Sequence, residues 1–154
     1  MFRRHPGLQK WTNAFIVPED NDRASPIFKI DFHTFYYSFL VGVAANERAE
    51  DISDATDMTR FFPDNFRPKK NEIIAVLIHT YTKDLGIKLN DKESLKKMVS
   101  SLIDVEKKEL SGEGFKRVNQ YAYRGFEIIS EKIKYQADAV KALQGIIEII
   151  NSYD

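Results

Sequence analysis

The sequence predicts an all-α protein: a single-domain helical bundle of about four to five helices with a long C-terminal heptad-patterned helix. Three observations predict it. Apolar residues recur at steps of three and four through most of the chain, whereas strand-type alternation is confined to Phe28, Ile30 and Phe32. Phe115, Ala122, Phe126, Ile129, Ile133, Val140, Leu143, Ile147 and Ile150 form one heptad-spaced stripe once Asn119 and Gln136 are admitted as polar members. Over about five heptads such a stripe reads as a continuous helix at 113–151, on the order of 50 Å long, whose seam needs cover from other helices. Phe126, Ile129, Ile133, Gln136, Val140, Leu143, Ile147 and Ile150 are therefore the candidate interaction seam, a coiled-coil surface for homo-oligomerisation or for a protein partner. Polar residues on such a seam either set register and partner number or turn out to water.

The remaining elements follow in order. Residues 1–26 carry Pro6, Gly7, Pro18, Asn21, Asp22, Ser25 and Pro26, with Trp11, Phe15, Ile16 and Val17 between them. That density of turn residues predicts an irregular arm, docked by its apolar groups, with a short extended piece at 14–17. A short strand at 27–30 is the most that the alternation there allows. Phe32, Phe35, Tyr36, Phe39, Leu40 and Val43 then mark the buried stripe of a helix over 32–47, with Asp31 as N-cap. The acidic stretch 46–59 reads as a short solvated helix or a loop, and 61–68, with two prolines and three phenylalanines, as a packed loop. Ile73, Ile74, Val76, Leu77 and Tyr81 predict a helix over 72–85, ended by Gly86 in a left-handed cap. Asn90 and Glu93 form a capping-box pair for a helix over 91–109, with Leu95, Met98, Val99, Leu102 and Ile103 as its stripe. Ser111, Gly112 and Gly114 separate it from the heptad helix, in which Gly125 and Gly145 are the expected kink sites.

Composition narrows the function classes. The 154 residues, 43 % hydrophobic and 12 % aromatic, suffice for a core without staples. The absence of cysteine excludes disulfides, thiolate metal sites and cysteine nucleophiles. The 23 basic and 23 acidic residues cancel, so nucleic acid or anionic lipid would have to be bound by a local patch. Met-Phe-Arg-Arg is followed by His5, Pro6 and Gly7 rather than by an apolar stretch, and the longest apolar run, 39–45, falls far short of the ~20 residues of a membrane span. The expectation is a cytoplasmic protein that is neither exported nor bound to a membrane.

Motifs that carry chemistry are scarce. His79 has no second histidine four residues away and no adjoining glutamate, so the helical zinc-protease spacing is absent. His33 beside Asp31 reads as part of a helix start. Asp51, Ser53, Asp54 and Asp57 lack the central glycine and closing glutamate of a calcium loop and read as a solvated acidic face. Asp64 with Glu106, Lys107 and Lys108 meets only the loosest nuclease pattern, and its second half falls in a predicted helix. The glycines form no phosphate or dinucleotide loop. An enzyme built from His79, Tyr81 and the acidic segment would require a pocket lined by them.

The leading reading is thus a non-enzymatic interaction or assembly subunit of a multiprotein complex, acting through helix–helix contacts. No catalytic, metal or cofactor residue is assigned. The alternative is a nucleic-acid-binding accessory protein using Arg67, Lys69 and Lys70 before one helix and Lys116, Arg117 and Arg124 at the start of another, where helix N-termini favour phosphate.

Overall fold

A computed structural model describes residues 1–15, 28, 30–135 and 137–153. The described chain is mostly helical, as the periodicity predicts. It runs β1 (Phe2–Arg4), α1 (Leu8–Phe15), α2 (Asp31–Ala45), β2 (Thr56–Thr59), a 3-10 turn (Asp64–Lys69), α3 (Lys70–Asp84), α4 (Lys92–Leu102), β3 (Ile103–Asp104), β4 (Glu109–Leu110), α5 (Gly112–Lys132) and α6 (Ala139–Asn151). The strands form two short antiparallel pairs, β1 with β2 and β3 with β4.

The architecture is organised by the contact between α2 and α5. A Cβ at Gly125 would overlap the Ser38 carbonyl oxygen, and one at Gly42 would overlap that of Tyr121. Small residues on both helices thus let the two backbones approach closely. Gly125 is consequently a contact point rather than the kink expected of it. Its helix-propensity cost of up to ~1 kcal/mol is offset by packing that no larger residue permits. Beside this crossing, Phe2 is fully buried, its ring edge-on to Phe32, Phe62 and Phe115 at 4.9 Å and to Phe35 at 5.5 Å. Phe2 is therefore core rather than part of an arm, and residues 16–26 of the expected arm lie outside the described residues.

Four expectations change in the fold. The heptad helix is two helices. Ile133 is extended, with φ −121° and ψ 125°, and α6 starts afresh where the Asp138 carboxylate accepts hydrogen bonds from the Val140 and Lys141 amides at 2.9 and 3.1 Å. An N-cap aspartate supplies at 138 what an unbroken helix does not use. Gly145 then lies against the Ile133 side chain, so α6 crosses the end of α5 and packs on α2. Second, Leu8, Trp11, Thr12 and Phe15 form the buried face of α1 within the region expected to be irregular. Third, the helix expected over 91–109 stops at Leu102. The chain reverses through a hairpin whose turn is held by the Lys107 amide donating to Asp104 at 3.2 Å and by Lys108 at φ 52°. Its N-cap is Asp91, which accepts from the Ser94 amide at 3.1 Å, in place of the Asn90–Glu93 pair. Fourth, Asp31 is the first residue of α2 rather than its cap, and its carboxylate takes the Arg4 guanidinium at 2.9 Å.

Elsewhere the expectations are met in part. Gly86 has φ 63° just past α3. The acidic stretch after Ala45 is loop as far as Ala55, whereas Thr56–Thr59, expected as helix or loop, is the strand β2 paired with β1. The segment expected as a packed loop over 61–68 is instead largely the 3-10 turn Asp64–Lys69, with Phe62 and Phe66 buried and Phe61 exposed. Of the segments expected to be extended, Ala14 and Phe15 are helical, and Phe28 is buried with its ring stacked on Phe15 at 4.8 Å. Ile16, Val17, Ile27 and Lys29 lie outside the described residues.

Candidate interaction surface

The heptad seam divides at the break between α5 and α6. On α5, Phe126 and Ile129 are buried in the core cluster, and Ile133 is half-buried against Gly145. Asn119, the polar member of this half, is also buried. Its carbonyl oxygen accepts from the Arg3 amide and its NH2 donates to the Met1 carbonyl, each at 3.0 Å. A side-chain amide thus pairs with the edge of β1 as another strand would, so Asn119 neither sets an oligomer register nor reaches water. Gln136, its counterpart, lies outside the described residues.

On α6 the same repeat has a different environment. Ala139, Ala142, Ile146 and Ile149 are buried and form the inward face. Val140, Leu143, Ile147 and Ile150 form an adjoining second apolar strip. Leu143 and Ile150 are half-buried at its inner border, while Val140 is 51 % exposed and Ile147 47 %. Lys141, Gln144, Glu148 and Asn151 occupy the remaining polar side. A helix apolar over so wide an arc is ordinarily covered on more than one side.

Most of the basic candidates have partners within the chain. Arg67 pairs with Asp64 at 3.0 Å. Lys70 donates to the Lys108 carbonyl and to Glu109 at 2.9 and 3.0 Å. Arg117 is held by Glu113 and by Gln120 and lies 5.0 Å over the Tyr81 ring. Arg124 binds Glu47, Glu127 and Glu131 at 2.9–3.1 Å, and these hydrogen bonds raise its pKa against the effect of burial. Lys69 lies 5.8 Å over the Tyr36 ring, and Lys116 borders a groove shared with Glu50 and Asp51. Four of the six candidates thus face carboxylates of their own chain.

The acidic segment is engaged in the same way. Besides Glu47, Asp57 pairs with Arg3 at 3.0 Å and Asp54 accepts from the Tyr123 hydroxyl at 2.7 Å. Burial and this bond push the Tyr123 pKa up to about 12. The acidic loop is thereby strapped to α5 and β1. His5 packs on the Tyr123 and Phe126 rings at 4.4 and 4.9 Å, and burial lowers its pKa despite Glu127 and Asp54 nearby. Asp84 pairs with Arg48 at 2.5 Å, beside the fully buried Tyr121, whose pKa burial raises strongly.

Among the described residues no group of three His, Asp or Glu is placed to hold a metal ion. No described helix is long and apolar enough to cross a membrane. His79 and Glu106 are exposed on α3 and on the hairpin turn, and Tyr81 is buried under Arg117. Comparison with protein-family models, with curated proteins and with solved structures finds no match to this chain.

Proposed function

We propose that this protein is a non-enzymatic interaction subunit that docks through the outward strip of α6 onto a helix of another protein chain. The observation that supports this reading is the two-sided apolar character of α6, with Ala139, Ala142, Ile146 and Ile149 covered and Val140 and Ile147 open. The strip Val140, Leu143, Ile147 and Ile150 keeps the three-four spacing that a second helix reads along a seam.

Magnitudes set the kind of docking. Fully burying a Val or Ile side chain is worth roughly 1.5–3 kcal/mol, and half of that is already realised at Val140 and Ile147. The strip therefore contributes about 2–3 kcal/mol, against an association cost of at least about 4 kcal/mol. A partner helix must also contact surface beside the strip, so the face acts as one anchor of a larger interface.

The test is to compare Ile147→Asp with the wild type by absolute mass on a size-exclusion column and by melting temperature. The expected result is an unchanged melting temperature with loss of whatever assembly the wild-type chain forms. An Ile147→Asp chain that enters the same assemblies as wild type would sink the reading. No observation favours the nucleic-acid alternative in the same way, because Arg67, Lys70, Arg117 and Arg124 are engaged by neighbouring carboxylates.

A further inference from the structure

The connection between α3 and α4 carries apolar side chains on its outside. Leu85 is 45 % exposed, and Leu89, at 81 %, is the most exposed large apolar residue of those described. Ile87, midway between them, is half-buried against the core cluster and holds the loop to the body of the protein. Backbone hydrogen bonds fix the course of the chain here. The Ile87 amide donates to the Thr82 carbonyl at 3.1 Å, and the Asp91 amide to the Lys88 carbonyl at 2.9 Å. The second bond closes a turn over 88–91 in which Leu89 takes the first corner. Such corners ordinarily carry polar residues, glycine or proline. A leucine there is an apolar point on a fixed loop, and within 83–93 every residue but Asp84 and Ile87 is exposed.

The charges around this point are mostly of one sign. Lys83, Lys88, Lys92, Lys96 and Lys97 are exposed and have no ion-pair partner among the described residues. The carboxylates of the same stretch are largely engaged. Asp84 is paired with Arg48 at 2.5 Å, and Asp91 accepts from the Ser94 amide at 3.1 Å, where it caps α4. Glu93 is the carboxylate left over. With Asp91 counted in full and Asp84 balanced by Arg48, the stretch 83–97 still has a positive excess.

We propose that this loop docks on an anionic lipid surface, with Leu89 and Leu85 sunk into the headgroup layer and the five lysines set among the lipid anions. Nucleic acid would match the lysines but has no apolar layer to receive a leucine at the corner of a turn. A protein partner would need a cavity already shaped to that corner. A bilayer interface supplies both the negative charge and an apolar layer that yields to the side chain. The chain has no net charge, so the attraction is local. The contact is peripheral, because no described helix is long and apolar enough to cross a membrane. No residue of α6 takes part, so the inference is independent of the docking reading above.

The experiment is cosedimentation of the full chain with vesicles of phosphatidylcholine alone and of phosphatidylcholine mixed with phosphatidylserine. The mixed vesicles should bind the chain and the neutral ones should not, and added salt should release it. Lys88→Gln and Lys92→Gln should each weaken binding about five-fold. Leu89→Ser should weaken it about ten-fold. All three variants change exposed side chains and should keep the wild-type melting temperature. Leu89→Trp reports the insertion itself: its emission should move to shorter wavelength on the mixed vesicles, over a constant background from Trp11, which is buried. A chain that ignores the mixed vesicles, binding indifferent to Leu89→Ser, or unshifted Leu89→Trp emission would each overturn the inference. Tighter binding to a single-stranded oligonucleotide or to polyglutamate than to the mixed vesicles would also overturn it, by assigning the lysines to a nucleic acid or to an acidic protein.

Discussion

The same hydrophobic repeat has two fates in this molecule. Along α5 its residues Ala122, Phe126 and Ile129 are buried in the core, and even the polar member, Asn119, is used to hold β1. Along α6 the repeat lies beside a second apolar face that α2 already covers, which leaves Val140 and Ile147 about half exposed. Three-four spacing therefore specifies a helix and its apolar arc, but not which part of that arc the rest of the chain covers.

The largest effect that would sharpen this contrast is expected on α5. Ile129→Asp places a carboxylate in a site that is 2 % exposed, and an unpaired buried charge costs as much as the whole ~5–15 kcal/mol of a typical domain. Circular dichroism should show a chain that does not fold. A melt near the wild-type value would mean that α5 is not the core helix described.

The two glycines once expected to kink a single helix offer the next contrast. Gly125→Ala drives a methyl group into the Ser38 backbone carbonyl and should cost about 3 kcal/mol in denaturant titration, at the upper end for overpacking. Gly145→Ala meets only the movable Ile133 side chain, and the gain in helix propensity of up to ~1 kcal/mol should bring it near neutral. Equal costs would contradict the two different packings. Asn119→Leu should cost about 2 kcal/mol, because it leaves the Arg3 amide and Met1 carbonyl without partners. Faster amide exchange in β1 and β2 would localise the loss.

His5 supplies a pH dependence. Burial lowers its pKa from the ordinary 6.5, so the unfolded chain binds the proton more readily than the folded one. The His5 contribution to stability is therefore complete above pH 6.5 and is lost as pH falls from there through the lowered folded value. His5→Gln should flatten that part of the stability profile, and an unchanged slope would mean that another group carries it. The smallest effect is expected on the open half of the repeat. Ile147→Asp should shift stability by no more than about 0.5 kcal/mol, which is why that variant can report on docking without reporting on folding.

Much of the fold was legible in the sequence, and the misreadings have local causes. The stripes of α2, α3 and α4 and the Gly86 cap could be read directly, since each rests on residues within a few positions of one another. Helix α1 was also readable from Leu8, Trp11, Thr12 and Phe15 at helical spacing, but Pro6 and Gly7 just before them suggested an irregular segment. Asp138 was the available sign that the heptad helix restarts. The stripe ran through it only because Gln136 was accepted as a polar member. The hairpin after Leu102 depends on an Asp104–Lys107 turn that carries no glycine or proline signal. The Phe61 turn was not readable at all, because three phenylalanines in one loop give no indication which of them stays outside.

What the sequence by itself determined was the helical class, the apolar arcs and the Gly86 cap, because these follow from backbone periodicity and from the conformation of single residues. The tertiary structure alone decided the rest. It brought Gly42 and Gly125 to a crossing, turned Asn119 onto β1, paired Arg124 with three carboxylates and left one side of α6 uncovered. Each of these depends on which distant surfaces compete for the same space, and close packing settles that competition only when the whole chain is assembled.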